Sequence, residues 1–215
     1  MEECVKNKIY SLVEKIEEIK KSDDDIISYQ LSPYVKEMIA VIEQVEIDDK
    51  VTAIFVYKTY LYIAETYTRM VRFSLSAKYH FKALRIAKTI KEVYHYKVSG
   101  IEILLVNLLR DRNFYVDDNC EDVKEVVDGL LPVKKIENIF TNRLNHRRNL
   151  KNDPVEMSEE YLAVIDEVEE RIAKNKTMSG MGSCHEIWDL KFQYLLEKGI
   201  KWKSPSLMNP RVMFD

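Results

Sequence analysis

Residues that form tight turns are scarce in this chain of 215 residues, which holds five glycines and five prolines. So few turn formers leave little material for the hairpins of an all-β domain. Hydrophobic residues make up 46% of the chain and charged residues 32%, which favours helices with a buried and a solvated face. The apolar residues recur in periodic clusters that can form a core, so we do not expect a disordered chain.

Cysteine is also rare, and its three positions, Cys4, Cys120 and Cys184, lie far apart. Such an odd, dispersed set is typical of reduced thiols rather than of a disulfide framework. The first residues, MEECVKNKIY, are charged and lack the apolar run of a secretory signal. The longest nearly apolar stretch, Ile101 to Leu109, has half of the roughly 20 residues that span a bilayer. We therefore expect a cytoplasmic protein that does not enter the membrane.

The charge of the chain is nearly balanced, with a formal net value of -3 at pH 7. This balance argues against nucleic acid or an anionic membrane as the main partner. Basic residues gather at two places: Lys78, Lys82, Arg85 and Lys88 on one helix face, and Arg143, Arg147 and Arg148 further on. The nearby aromatic residues fall on the expected packing face, where they cannot stack on bases. We interpret the basic face as solvated, with nucleic-acid binding as the alternative.

Apolar positions follow the period of an α-helix along most of the chain. A first helix is expected from about Glu3 to Lys20. The acidic run Asp23–Asp25 follows Ser22 and is interpreted as the capped first turn of a new helix rather than as a set of metal ligands. Ser32 before Pro33 predicts another helix start, with serine as the cap. No stretch alternates as a strand does, so the sequence predicts an all-α protein.

The region from Asp49 to Tyr94 predicts two long helices in succession. Apolar residues cover a broad face of the first helix, which is typical of a helix that lies between neighbours. In the second helix, Ala83 and Ala87 form a small-residue pair that allows another helix to approach closely.

Seven positions of this helix pair resemble one tetratricopeptide repeat: Tyr60, Ile63, Ala64, Tyr67, Ala77, Phe81 and Ala83. The resemblance covers about residues 57–92. It implies antiparallel helical hairpins stacked as a short solenoid or bundle, and a protein or peptide as the partner. In that family the partner lies against the first helix of each pair, which implies a partner surface here on Lys58, Leu61, Glu65, Thr68 and Arg69. The family's clamp for a peptide carboxylate is not reproduced, so that activity is not expected.

Helical patterns continue through the second half of the chain. Gly100, Asn119 and Ser158 are expected at or just before the starts of further helices. The polar stretch from Asn145 to Pro154 interrupts the pattern and predicts a boundary. Residues 1–148 are expected to form a helical-repeat-like core, and residues 149–215 to add C-terminal helices and a capping tail to the same globule.

The C-terminal tail, KWKSPSLMNPRVMFD, is too apolar to be a free segment, yet its two prolines prevent a continuous helix. We expect this irregular segment to pack back over an exposed end of the helical stack, because terminal helices need covering. Docking into another chain is the alternative.

A further helix start is expected near residue 183, where Ser183 followed by Glu186 fits the pattern of a capping box. Cys184 and His185 then occupy the first helical positions, and Gly199 ends the helix in a left-handed conformation. In this interpretation the cluster has a structural role.

The same helix start also suits chemistry. Free backbone amides and the helix dipole attract anions and lower the pKa of a thiol. Gly182, Ser183, Cys184 and His185 are therefore candidate ligand- or anion-binding residues. If the protein is an enzyme, Cys184 as a thiolate and His185 as a proton carrier are the candidate catalytic residues.

No CxxC, HExxH, GxSxG or Walker-type motif accompanies these residues, and the histidines and cysteines do not follow metal-ligand spacing. We expect no metal and no cofactor. The function predicted is non-enzymatic binding of a protein or peptide. The alternatives are a small-molecule or anion-binding protein or an enzyme that uses the helix start at residue 183, and nucleic-acid binding through the basic face.

Overall fold

The computed structural model describes residues 3–21, 28–115, 120–142, 150–177 and 182–214. Throughout these ranges the regular elements are helices and no strand occurs, which confirms the all-α prediction. The α-helices are α1 (Glu3–Ile19), α2 (Ser28–Ile42), α3 (Lys50–Arg69), α4 (Phe73–Tyr94), α5 (Ile101–Asn113), α6 (Glu121–Val127), α7 (Val133–Asn142), α8 (Glu159–Asn175), α9 (Ser183–Glu197) and α10 (Pro205–Met208). One 3₁₀ turn, Pro154–Met157, precedes α8. Over the described ranges, no helix combines the length and the apolar character that crossing a membrane requires.

Helices α3 and α4 form the central hairpin. Three residues connect them, so the two helices run antiparallel and pack along their length. The carboxylate of Asp49 caps α3 by accepting a 2.7 Å hydrogen bond from the backbone amide of Thr52, and this bond lowers the pKa of Asp49. α4 also packs against α5 and α6, and both Ala83 and Ala87 are fully buried. Stacking of such hairpins as a tetratricopeptide-like solenoid stays a prediction.

Two hydrophobic cores are present among the described residues. The larger core draws its buried residues from α1 to α7, between Ile9 and Phe140. The smaller core is formed by α8, α9 and the tail, between Tyr161 and Trp202. The boundary predicted between residues 148 and 149 falls between these cores in sequence. Because α2 packs against α8, the two cores are joined, and the division into two regions stays a prediction.

A buried ion cluster connects the cores. Nη2 of Arg72 lies 2.5 Å from Oδ1 of Asp166 and 2.7 Å from Oε2 of Glu169, both on α8. The Ser32 hydroxyl donates a 2.7 Å hydrogen bond to Oδ2 of Asp166, which also pairs with Lys36 at 2.6 Å. Burial disfavours the charge of Arg72, but the attraction of Glu169 and Asp166 raises its pKa. The cluster therefore fixes α8 against α2 and the α3–α4 turn.

One predicted helix start differs from the structure, and two others cannot be compared with it. α2 begins at Ser28, so Pro33 lies inside the helix and Ser32 is a buried helical residue rather than a cap. Proline at this position removes the bond to the carbonyl of Tyr29, and its ring crowds the same carbonyl. The predicted caps Ser22, with Asp23–Asp25, and Asn119 lie outside the described residues.

Other predicted helix ends are confirmed. The Ser158 hydroxyl accepts a 3.2 Å hydrogen bond from the backbone amide of Tyr161 and so caps α8. Gly100 precedes α5 with a φ of 80°. Gly199 follows α9 with a φ of 78°, and the next amide, of Ile200, returns to the carbonyl of Leu195 at 2.9 Å. This is the bond of a left-handed helix end.

Candidate functional site: a cationic groove on helix α4

Helix α4 presents three cations along one face. Lys78, Lys82 and Arg85 follow one another at steps of four and three residues, which places them on the same side of the helix. They line an open cavity of about 450 Å³ together with Ala77, Phe81, Arg112, Tyr115 and Met157. We call this cavity the cationic groove. A second depression of about 480 Å³ shares Lys82 and Arg85 and continues past Lys88 and Val126.

The floor of the groove is apolar. Phe81 is half-buried, and the guanidinium carbon of Arg112 lies 5.4 Å from the centre of its ring. Ala77 and Tyr115 are buried beside it, whereas the side chain of Met157 is 47% exposed on the rim. Phe81 was expected in the core of the hairpin, as one of the seven repeat-like positions. The other six are buried, and Phe81 is half-buried: its side chain packs against the larger core and also lines the groove.

Two of the cations are neutralised by acidic neighbours. Lys82 forms a short ion pair with Glu43, and its ammonium also lies 5.1 Å from the centre of the Tyr79 ring. Arg112 makes two hydrogen bonds to Asp122, at 2.7 and 2.6 Å. These bonds raise the pKa of Arg112, against the effect of burial, and lower the pKa of Asp122. The pairs hold both side chains in place at the edge of the groove.

The other two cations are available to a ligand. Lys78 and Arg85 are both exposed, and no carboxylate within the described ranges forms an ion pair with either of them. An exposed cation without an ion pair beside an apolar floor can bind a carboxylate or phosphate while the floor accepts an apolar group. The basic face, which we interpreted as solvated, is solvent-exposed at Lys78 and Arg85, and it also forms one wall of the groove.

A buried polar cluster lies beneath the groove. The Ser76 hydroxyl donates a 2.6 Å hydrogen bond to Oδ2 of Asp111, and His80 Nδ1 lies 3.2 Å from the same hydroxyl. Thr68 Oγ1 is 2.7 Å from Ser76 Oγ, and Arg110 pairs with the other oxygen of Asp111. Ser76, His80 and Asp111 are each at most 1% exposed. A serine that donates to the carboxylate rather than to the imidazole, out of reach of substrate, is not an activated nucleophile. The cluster fixes α3, α4 and α5 against one another.

The candidate residues at the start of α9 lie far from this groove in sequence. Gly182 precedes the helix with a φ of 85°, and Ser183 is its first residue, so the predicted capping box is wrong. Glu186 accepts hydrogen bonds from the amide and hydroxyl of Thr177 at 2.8 and 2.7 Å. The Glu186 carboxylate therefore binds the residue that follows the C-cap of α8, Thr177. This contact depends on the packing of α9 beside α8 and not on the local sequence pattern.

Cys184 and His185 occupy the first turn of α9, as predicted. Cys184 is half-buried, and Nε2 of His185 lies 3.3 Å from the carbonyl oxygen of Phe214. The rings of His185 and Phe214 both form T-shaped pairs with the Trp188 ring, with 5.3 and 5.1 Å between ring centres. A chemical role for Cys184 and His185 stays a prediction. Among the described residues, no three histidine, cysteine or acidic side chains are placed to hold a metal ion.

The partner surface implied by the repeat resemblance lies on α3. Lys58, Glu65 and Arg69 are exposed, whereas Leu61 is half-buried against the larger core. Thr68 turns inward to the buried polar cluster. Arg69 Nη2 also donates to the carbonyl of Lys20 at 3.3 Å. This face is a line of charges with little apolar surface between them.

Several groove residues were missed from the sequence alone. Three of them are Arg112 on α5, Tyr115 two residues after its end and Met157 in the 3₁₀ turn, and no local spacing connects them with α4. The predicted arginines Arg143, Arg147 and Arg148 lie outside the described residues. Comparison of the chain with protein-family models, with curated proteins and with solved structures found no match.

Proposed function

We propose that this protein is a non-enzymatic interaction protein that binds an acidic, amphipathic segment of another protein in the cationic groove. The observation that carries the proposal is the placement of Lys78 and Arg85, exposed and without a carboxylate partner among the described residues, beside the apolar surface of Phe81 and Met157. Apolar contact supplies affinity, and charge complementarity supplies orientation and a fast association rate.

The length of the groove favours a peptide over a small molecule. Its two depressions follow α4 from Lys78 to Lys88. At a rise of about 1.5 Å per residue, the ten residue steps from Lys78 to Lys88 extend over about 15 Å. A bound helix of similar length that carries acidic residues at steps of three and four places its carboxylates opposite the cations.

The aromatic surface of the groove favours a protein over a nucleic acid. The Phe81 ring is covered on one side by the guanidinium of Arg112. Bases need a free ring face for stacking, and single strands are usually bound by several such faces in a row. The other rings at or near the groove belong to Tyr60, Tyr79 and Tyr115, and all three residues are buried. The centres of the Tyr60 and Tyr79 rings are 5.9 Å apart.

Fluorescence anisotropy with a designed peptide tests the proposal. The acidic probe peptide is a fluorescein-labelled helix of about four turns, with glutamates at steps of three and four residues beside a stripe of leucines. The basic control peptide has lysine at each glutamate position. We expect the acidic probe alone to bind, with an affinity that falls as the salt concentration rises.

Charge reversal locates the site. We expect Arg85→Glu to weaken binding of the acidic probe by about 10-fold or more, because it replaces attraction by repulsion at the centre of the groove. The matched control is Lys58→Glu, an exposed reversal on the α3 face. A loss with Lys58→Glu but not with Arg85→Glu would place the partner on α3 and refute the groove. If instead a single-stranded oligonucleotide binds more tightly than the acidic probe, the protein-binding proposal is wrong.

A further inference from the structure

The C-terminal strap, Trp202–Asn209, is bonded to the segment 151–157 at three points. The side chain of Asn209 accepts from the amide of Lys151 at 2.7 Å and donates to its carbonyl at 2.8 Å. The amide of Lys203 donates to Oδ2 of Asp153 at 2.7 Å. Trp202 is 2% exposed, and its Nε1 donates to Oε1 of Glu156 at 2.8 Å. The tail thus lies against its own chain.

The opposite side of segment 151–157 is bonded to the end of α5. The amide of Asn152 donates to the carbonyl of Phe114 at 2.9 Å, and Lys151 Nζ donates to the carbonyl of Asn113 at 2.9 Å. Phe114 is itself held by stacking of its ring on Phe73, with the ring centres 4.0 Å apart. The segment therefore lies between the end of α5 and the C-terminal strap.

Glu156 connects the strap with the groove. While Oε1 accepts from Trp202, Oε2 accepts from the Tyr115 hydroxyl at 3.2 Å and from Asn152 Nδ2 at 3.3 Å. The backbone amide of Tyr115 donates to the carbonyl of Arg112, another groove residue, at 3.1 Å. Both Tyr115 and Ser74 line the groove, and the residue after Glu156, Met157, forms its rim.

We propose that Trp202 and Asn209 are positioning residues for the cationic groove. They hold segment 151–157 in the position that keeps Met157 on the rim of the groove and Tyr115 at its floor. The segment has a single 3₁₀ turn and no longer helix to keep its shape, so its position depends on the bonds at its two sides. This inference rests on the proposed function of the groove, because a wall matters for binding only where a ligand binds. By linkage, a ligand in the groove and the docked strap stabilise each other.

Hydrogen exchange tests the positioning without a ligand. In Asn209→Ala, we expect the amides of Asn152 and Tyr115, which bond to the carbonyls of Phe114 and Arg112 and not to Asn209, to exchange about 10-fold faster or more. The matched control is Leu207→Ala, a truncation in the same strap at a side chain that is 67% exposed, which should leave both amides unchanged. Faster exchange at Lys151 alone would overturn the inference, because the effect would then not reach the groove.

Binding of the acidic probe peptide supplies the second measurement. We expect Asn209→Ala to weaken binding by about 3- to 10-fold at a temperature where the variant is fully folded. Asn209→Asp, which keeps the acceptor for the Lys151 amide and loses the donor, should lie between wild type and Asn209→Ala. Equal binding by all three proteins would overturn the inference and leave the groove function standing. Absence of binding by the wild type refutes the proposed function, and the exchange rates then decide the positioning by themselves.

Discussion

Arg72 and Glu169 form a buried ion pair, with 2.7 Å between Nη2 and Oε2, that joins the central hairpin to α8. The side chains are 6% and 14% exposed. The residues are 97 positions apart in the chain, and Asp166 shares the same guanidinium. Two carboxylates of α8 share one buried cation, so Arg72 adds an ionic contact to the packing of α2 against α8.

Removal of that cation should destabilise the protein strongly. We expect Arg72→Met to lower the free energy of unfolding by about 3–5 kcal/mol, because Glu169 loses the cation with which it pairs, while Asp166 keeps Lys36 and Ser32. Urea unfolding followed by circular dichroism measures the change. The control is Arg171→Met, which removes the exposed ion pair with Glu197 and should leave the stability nearly unchanged. If both substitutions lower the free energy of unfolding equally, burial of the Arg72 ion pairs does not increase their contribution to stability.

The same cluster predicts an unusual pH dependence. Burial raises the pKa of Glu169 in spite of the attraction of Arg72, so the folded protein holds this proton more tightly than the unfolded chain. The stabilising contribution of a group with a raised pKa is complete below its unfolded value, about 4.3, and is lost as the pH rises through the folded value. The stability difference between wild type and Glu169→Gln should therefore fall as the pH rises above about 4.3.

Asp166 behaves in the opposite way. Burial acts to raise its pKa, but Arg72, Lys36 and Ser32 together lower it below the ordinary value. Its contribution is present above the unfolded pKa, about 3.9, and is lost as the pH falls through the folded value. The cluster as a whole should stabilise most in mildly acidic solution. Urea unfolding of wild type and Glu169→Gln across the pH range checks this, and a difference that grows with rising pH would contradict it.

Loss of the Asp122 carboxylate, which pairs with Arg112, should increase the affinity of the cationic groove for acidic peptides. In Asp122→Asn the guanidinium loses the negative charge to which it makes two hydrogen bonds, so we expect the acidic probe peptide to bind about 2- to 5-fold more tightly. The matched control is Glu121→Gln, in the same first turn of α6, where the carboxylate pairs with Lys124. Titration by anisotropy compares the two. Weaker binding in Asp122→Asn would mean that the pair positions Arg112 for the ligand rather than neutralising it.

The three cysteines should differ in their rates of alkylation. Cys4 is exposed, Cys184 half-buried and Cys120 buried, so we expect their rates at neutral pH to fall in that order. Mass spectrometry of peptides after timed treatment with iodoacetamide measures all three in one sample. If Cys184 reacts faster than Cys4, exposure does not control its rate. That result would favour a chemical role for the start of α9 over the structural interpretation.

Local patterns in the sequence were sufficient for the helices and many of their ends. The apolar period located the central hairpin, and Ser158 and Gly199 take the conformations that their residue types favour. These features depend on residues within four positions of one another, where backbone geometry alone decides which groups meet. The same reasoning placed Lys78, Lys82 and Arg85 on one face.

Contacts between distant elements overturned other local interpretations. Ser32 and Glu186 have the residue types of caps, but the first hydrogen-bonds to Asp166, 134 positions away, and the second to the end of α8. A polar side chain takes the partner that packing brings near, and no spacing within a helix reveals that partner. The basic face of α4, by contrast, depends only on spacing within one helix, so it could be predicted from the sequence. The groove required Met157 and Arg112, which reach it only when α5 and the 3₁₀ turn pack beside α4.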